Sequence, residues 1–483
     1  MLRKTLFFLT LLAIFLLLFL AYFVENSNRT PRELASYLER EASANHSTTG
    51  GLARSISKTL RALDRMDSMV ATLPNLNLGV QALELNTLKH RNLHTVENLI
   101  LVSSADQAKL AIANANPGDV ITFAPGVYQF SGHNISVIRA GREDARIVLR
   151  AEVPGTVKLK FSLVEGIHVS APYWTFENLH IQGNCEIQSN CEHAFHVVGN
   201  AHHFVARNNT ILDFNSHVKV NMANRQIPDD GVIEYNSIRN TEARRTESSV
   251  TLVDLVVASR WRIEHNFISD FVKGGSDKVS YGVFAKGGGN ENRIVNNLII
   301  CEHHLRGAVG QRVGLSLGGG GTGKAFCPDH RCVTEQDRGV IESNLIMACS
   351  DDGIYLNKAA ASRIIRNTLI DTGGIEVRFA ESTADVEGNL VDGKIRSRDG
   401  GLIRARDNID TNMVSLFVGY HPVRNMFRNP SIIDLGWVKE PKNLSENVTE
   451  SFDLCGMKRK RESLPGAFED FKFCTPTPST LHK

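Results

Sequence analysis

From Val102 onward the chain is a succession of short runs in which apolar and polar residues alternate. Val120-Ile-Thr-Phe, Ile147-Val-Leu-Arg and Val157-Lys-Leu are early examples, each bounded by Gly, Pro or Asn. Alternation over a few residues between turn formers predicts half-buried β-strands. One segment breaks the texture. Ser104-Ala-Asp-Gln-Ala-Lys-Leu-Ala-Ile-Ala-Asn-Ala-Asn has an N-cap serine and apolar residues at helical spacing, and Pro117-Gly-Asp stops it, so one short helix is predicted there. An internal repeat overlies the strands. An asparagine followed closely by Ile, Leu or Val recurs at Asn178, Asn209, Asn236, Asn266, Asn297, Asn344, Asn367, Asn389 and Asn408. The last intervals are 23, 22 and 19 residues, and the gap of 47 before Asn344 suits two coils of about that size.

Such a period means a solenoid. A single coil cannot bury its apolar face, whereas stacked coils share one continuous core. An asparagine at the same turn of every coil can stack its amide on the next, and Asn tolerates the left-handed backbone that such turns need. The expected fold is therefore all-β, a single-stranded right-handed parallel β-helix over residues 101–470, with the short helix capping its first coil and a tail at 471–483. A propeller would show a longer period and a leucine-rich repeat a denser leucine pattern.

The N-terminus has another character. Arg3 and Lys4 precede an apolar run from Leu6 to Val24, interrupted only by Thr10. That length suits a membrane span with its positive end in the cytoplasm, so residues 1–24 are expected to be a signal-anchor transmembrane helix, with a cleaved signal peptide as the alternative. Residues 25–100 carry two weakly periodic helical stretches with few apolar residues and read as a helical stalk. The main domain is then expected outside the cytoplasm, periplasmic or at the cell surface. Eight cysteines fit that compartment as disulfides. Cys185/Cys191, Cys327/Cys332 and Cys455/Cys474 are close in sequence, and Cys301 and Cys349 remain. A formal net charge of +2 gives no basic stripe of the kind nucleic acid requires.

Most polar residues belong to the scaffold by this logic, including His193, His196, His202 and His203, which read as surface histidines, and Tyr173 and Trp174, which read as core or cap. The glycine run Gly318–Gly321 before Gly323-Lys324 lacks the Ser or Thr and the strand–loop–helix setting of a phosphate loop, so no nucleotide is expected. One two-coil patch stands apart. Lys358 and Arg378 end short strands in successive coils, and parallel strands lie about 4.8 Å apart. Asp351 and Asp352 precede Lys358, while Asn357 and Glu376 flank the two cations. A lysine base, an arginine and a cation-binding carboxylate suit β-elimination from a uronic acid, in which the proton α to the carboxylate leaves and positive charge stabilises the enolate. Lys286 occupies a similar place in an earlier coil.

Two segments carry a resemblance. Ala108-Lys-Leu-Ala-Ile-Ala-Asn-Ala-Asn-Pro-Gly-Asp-Val-Ile to Gly126-Val-Tyr, with Arg146-Ile-Val-Leu-Arg-Ala-Glu-Val-Pro-Gly, resembles the opening of the chondroitinase B and alginate lyase family of β-helix polysaccharide lyases. The stretch Lys358…Asn367…Gly374-Ile-Glu-Val-Arg378…Glu387-Gly-Asn389 is similar to that family's catalytic segment. The resemblance implies an acidic polysaccharide as partner, with Lys358 and Arg378 catalytic and Lys286, Asn357 and Glu376 touching substrate. It also implies calcium, with Asp351 and Asp352 standing near where the family has glutamate ligands. Phe379-Ala380 follows Arg378 where the family has His-Gly. A non-catalytic carbohydrate-binding or structural β-helix is the alternative function, and hydrolysis by Asp351, Asp352 and Asp337 is a third.

Overall fold

Each of ten successive coils supplies three short strands, one to each of three parallel sheets, and the two ends add the remainder. Val205–Arg207, Thr210–Leu212 and Ser216–Asn221 are one such set. The first sheet has twelve strands, from Leu99–Val102 to Leu402–Arg406. The second has eleven, from Gly126–Phe130 to Ile409–Asp410, and the third has ten, from Ile135–Val137 to Lys394–Arg398. This is the expected right-handed parallel β-helix. The computed structural model describes residues 29–44, 49–66, 73–80, 98–319, 322–445, 451–460 and 462–475, with isolated positions at 15–25 and at 68, 69 and 82.

Register explains the core. In the first sheet Ile233, Ile263, Ile294, Ile341 and Ile364 stand directly over one another and are fully buried. In the third, Val253, Val283, Leu315, Ile354 and Ile375 do the same. Each such side chain contributes roughly 1.5–3 kcal/mol by leaving water. The helix α3 (Ala105–Ala113; α1 and α2 are described below) caps the first coil through buried Ala108 and Ile112, with Ser104 Oγ accepting from Gln107 N at 3.1 Å.

The asparagine ladder forms with one change. Asn209, Asn236, Asn266, Asn297, Asn344, Asn367, Asn389 and Asn408 are linked in series, each Oδ1 accepting from the backbone N of the preceding ladder asparagine at 2.8–3.0 Å. Asn178 is outside it. The ladder position of that coil is Leu179, whose N donates to Asn209 Oδ1. The left-handed backbone also belongs to the residue before the rung, as at Tyr235, His265, Asn296 and Ser343, so that the rung asparagine can turn its amide inward.

The N-terminal helices correct the stalk expectation. Helices α1 (Pro31–Ala44) and α2 (Thr49–Asp64) pack on each other and dock on the solenoid. Arg32 is fully buried, donating to Asp64 and to Asp371 of the solenoid. The helices dock through buried ion pairs, and the segment after them adds Leu78, with Leu73 and Leu76, against the second sheet; sparse apolar residues and distant ion pairs leave no periodic signal in the sequence. The anchor expected at Leu6–Val24 falls largely outside the described residues. Among those described, no helix is long and apolar enough to cross a membrane. At the other end, the solenoid stops at Asp410. The described residues of 413–445, 451–460 and 462–475 then form a separate layer, with Phe427, Leu435 and Phe468 against Leu298, Leu345, Met347 and Ile370 of the second sheet. Four disulfides join Cys185–Cys191, Cys301–Cys349, Cys327–Cys332 and Cys455–Cys474.

One buried ion group predicts acid behaviour. Glu302 is fully buried between Arg312, at 2.8 Å, and Arg65, at 3.0 Å. Burial pushes its carboxyl up, but the two guanidinium groups outweigh that and hold it at about 2, below the ordinary 4.5. A depressed carboxylate contributes stability above its unfolded value and loses it as pH falls through the folded one. Between pH 4.5 and 2 this group should account for about 3 kcal/mol of lost stability. Urea unfolding of Glu302→Gln across that window should show a flatter pH dependence than wild type; an equal slope would refute the assignment.

Candidate functional site

The outer face of the third sheet carries a straight polar column. Register aligns His168, His196, Lys219, Asp254, Phe284, Ser316, Tyr355, Glu376 and Arg396, one per coil. At its C-terminal end a cavity of about 560 Å³ opens between the sheet and α1. Asp351, Asp352, Glu376 and Arg378 line it together with Tyr281, Tyr355, Gln311, Arg398 and Asp399, while Arg29 and Glu33 come from the N-terminal segment.

Charge in this cavity is crowded. Arg396 Nη2 meets Glu33 Oε1 at 2.5 Å, Asp352 Oδ1 at 2.9 Å and Glu376 Oε2 at 2.9 Å, while Arg398 reaches Glu376 Oε1 at 2.8 Å. Gln311 Nε2 donates to Asp351 Oδ2 at 2.5 Å. Three carboxylates thus share two guanidinium groups, one of which also leans toward Asp399 at 3.7 Å. Burial, with Glu33 and Glu376 adding repulsion, pushes the Asp351 carboxyl up to about 7. Burial also raises Asp352, against the pull of Arg396, and raises Glu376. Arg378 donates to Asp399 Oδ2 at 2.5 Å and to the Tyr355 hydroxyl at 3.4 Å, and lies over the Phe379 ring.

Asp351, Asp352, Glu376 and Arg378 are therefore brought together, but Lys358 is not among the lining residues. Its neighbour Asn357 takes the register position opposite Arg378, and Lys358 occupies a left-handed turn past the strand end. Its charge acts instead on Glu335, which also feels Lys286. Asn357 is nearly buried, its Nδ2 donating to the Tyr355 hydroxyl at 3.1 Å. Lys286 belongs to a second group, 3.6 Å from Asp254, whose other oxygen holds Lys219 at 2.5 Å; both lysines border a cavity of about 360 Å³. Gly318 and Gly319 serve packing. A side chain on Gly319 would strike the Phe284 ring, and one on Gly318 the carbonyl of Asn357.

Sequence reasoning missed Glu33, Arg396, Arg398, Tyr355 and the Lys219–Asp254 pair. Three of these had a readable signal. Lys394-Ile-Arg-Ser-Arg398 alternates one coil beyond Arg378, and Asp254 interrupts the apolar run Val250-Thr-Leu-Val-Asp-Leu-Val-Val. Glu33 had none, because its place depends on how α1 docks.

Oxygen ligands for a cation are present. Carboxylate oxygens of Glu33, Asp352 and Glu376 lie within 4.8 Å of one another, so Asp352 groups with these two rather than with Asp351. An all-oxygen set is what a hard cation such as calcium takes, but Arg396 Nη2 already lies 2.5–2.9 Å from all three carboxylates, so a cation there would have to displace that guanidinium.

Comparisons agree with the architecture. Residues 102–299 match the family model described as Chondroitinase B, a stretch that includes Lys219, Asp254 and Lys286 and, of the residues lining the 560 Å³ cavity, Val279 and Tyr281. No curated protein sequence matches the chain. Among solved structures it is similar to pectate lyase Pel9A, at 14% identity over 84% of this chain and 100% of that one, with a TM-score of 0.54. A PL6 family polysaccharide lyase from Pseudopedobacter saltans aligns at 14% identity over 70% and 99% of the two chains, with a TM-score of 0.34. A mannuronic acid specific family 6 lyase from human gut microbiota aligns at 14% over 67% and 84%, with a TM-score of 0.37. The chain is a right-handed parallel β-helix protein that resembles the chondroitinase B and alginate lyase family over residues 102–299.

Proposed function

We propose that this protein binds an acidic polysaccharide along the outer face of the third sheet and cleaves it by β-elimination at the cavity beside Arg378. The observation that carries the reading is the straight column of ionic and aromatic side chains ending in a cavity where arginines and carboxylates converge. The Chondroitinase B match supports the same substrate class. Arg378 is held over Phe379 and braced by Asp399, so its guanidinium is fixed where negative charge would develop on a uronate. For the proton the chain offers two groups. Lys358 is the base that the family resemblance implies, approaching from the Glu335 side. Tyr355 stands inside the cavity, hydrogen-bonded to Arg378. A calcium at Glu33, Asp352 and Glu376 would have to displace Arg396 from them; with Arg396 in place, its guanidinium and that of Arg398 supply the positive charge beside these carboxylates. Export, with the solenoid outside the cytoplasm behind a membrane anchor, is supported by the Leu6–Val24 run and by the four disulfides.

The experiment is to incubate the protein with alginate, chondroitin and pectate, with and without calcium, following ultraviolet absorbance of unsaturated uronate. Product is expected on at least one polymer. Arg378→Ala should lower kcat by about 10²-fold or more, a loss typical of removing one charge-stabilising donor. Lys358→Ala and Tyr355→Phe identify the base, since only the correct one abolishes turnover while binding persists. Binding without product on every polymer would leave the non-catalytic carbohydrate-binding alternative.

A further inference from the structure

Far from the cavity, two strands at the front of the third sheet present an arrangement that the proposed reaction does not use. Glu165-Gly-Ile-His168 and His193-Ala-Phe-His196 lie side by side, with Glu165 opposite His193 and His168 opposite His196. Between them Ile167 and Phe195 point into the core and are fully buried, which fixes both strands and turns the polar side chains outward. Glu165 Oε2 meets His168 Nδ1 at 2.9 Å, and Oε1 meets His196 Nδ1 at 2.7 Å. Ligand atoms of Glu165, His168 and His196 all lie within 4.8 Å of one another. The group is partly exposed on the same face as the cavity, and His196 is six strand spacings, or about 29 Å, from Glu376.

We propose that Glu165, His168 and His196 form a binding site for a zinc-class divalent metal ion, separate from the oxygen-ligand cluster of the cavity. Two imidazoles and one carboxylate suit zinc, whose ligands sit at about 2.0–2.2 Å, and disfavour calcium, which takes oxygen ligands. An outer contact is in place as well. His196 Nε2 lies 2.8 Å from Asn221 Oδ1, and such a partner fixes the ring orientation of a metal-binding histidine. The nearest cation in the column, Lys219, is drawn toward Asp254 by a 2.5 Å ion pair, which neutralises the charge that would most oppose a metal. Three protein ligands leave a coordination position open toward solvent, so the ion would present positive charge to an anion lying along the sheet.

The test uses the whole chain, stripped with a chelator, dialysed and titrated with zinc chloride by calorimetry, with bound metal counted by mass spectrometry. One equivalent is expected, not displaced by millimolar calcium. Cobalt substituted for zinc should give visible ligand-field bands from a mixed nitrogen–oxygen site. Glu165→Gln and His168→Gln should each weaken zinc at least tenfold while circular dichroism and the thermal midpoint of the metal-free chain stay near wild type. The Glu165→Gln variant, which keeps the side-chain shape, guards against a binding loss caused by misfolding. Absence of stoichiometric zinc, displacement by calcium, or undiminished affinity in the Glu165→Gln/His168→Gln double variant would overturn the proposal.

Discussion

Replacing Asn266 by alanine is expected to destabilise the solenoid far more than the same change at Asn408, although both are ladder asparagines. Asn266 is fully buried in mid-ladder. Its Nδ2 donates to Ile233 O, Glu264 O and Asn297 Oδ1, and its Oδ1 accepts from both the backbone N and Nδ2 of Asn236. Truncation leaves the buried backbone N–H of Asn236 without its acceptor and takes from Ile233 O, Glu264 O and Asn297 Oδ1 the donor that Nδ2 supplied, whereas Asn236 Nδ2 keeps Ala206 O and Glu234 O. Each stranded buried group costs about 1–3 kcal/mol, so a loss of roughly 3 kcal/mol or more is expected. Asn408 ends the series and is only partly buried; it accepts from Asn389 and donates to Val386 O, and solvent can replace part of that. Urea unfolding of the two variants checks the contrast. Equal losses would mean that the stacked amides decorate the turns without holding the coils together.

That contrast also shows what a single sequence can and cannot reveal. The ladder was readable because one coil imposes the same chemistry on the next: a buried amide at one turn requires another above it. Its single misplacement, Asn178, arose because the asparagine there occupies the left-handed turn, while Leu179 takes the inward position. Asp351, Asp352, Glu376 and Arg378 were found together because they belong to adjoining coils, where sequence spacing maps onto space. Lys358 was drawn into that group by the same spacing, yet a one-residue offset sets it past the strand end and toward Glu335. The histidine group at the front was half visible. His193 and His196 were noticed, but Glu165 and His168 belong to the coil before, and only register pairs them. The least readable contribution is Glu33, which reaches the cavity from more than three hundred residues away. Ion pairs between distant segments leave no periodic trace.

Arg32→Met should release the N-terminal helices from the solenoid, and it carries the second large effect. The Arg32 guanidinium donates to Asp64 at 2.7 and 2.9 Å, to Asp371 at 3.2 Å and to the carbonyl of Cys349 at 2.7 Å, all out of water. Removing it strands the buried carboxylate of Asp64, and breaking a buried pair on one side typically costs about 3–5 kcal/mol. Asp371 keeps Arg306 at 2.8 Å and Arg424 at 3.8 Å, so the damage should concentrate on the helix side. Hydrogen exchange is then expected to rise over residues 31–64 while the mid-solenoid strands stay protected. Arg32→Met with Asp64→Leu should recover much of the loss, because replacing both members of a buried pair by apolar residues removes the uncompensated charge. Unchanged protection in Arg32→Met would restore the view of this segment as a passive spacer. Release would instead withdraw Glu33 from Arg396 and open one wall of the cavity, so polymer binding should change along with exchange. The helices that few apolar residues marked as a tether are then part of the site they border.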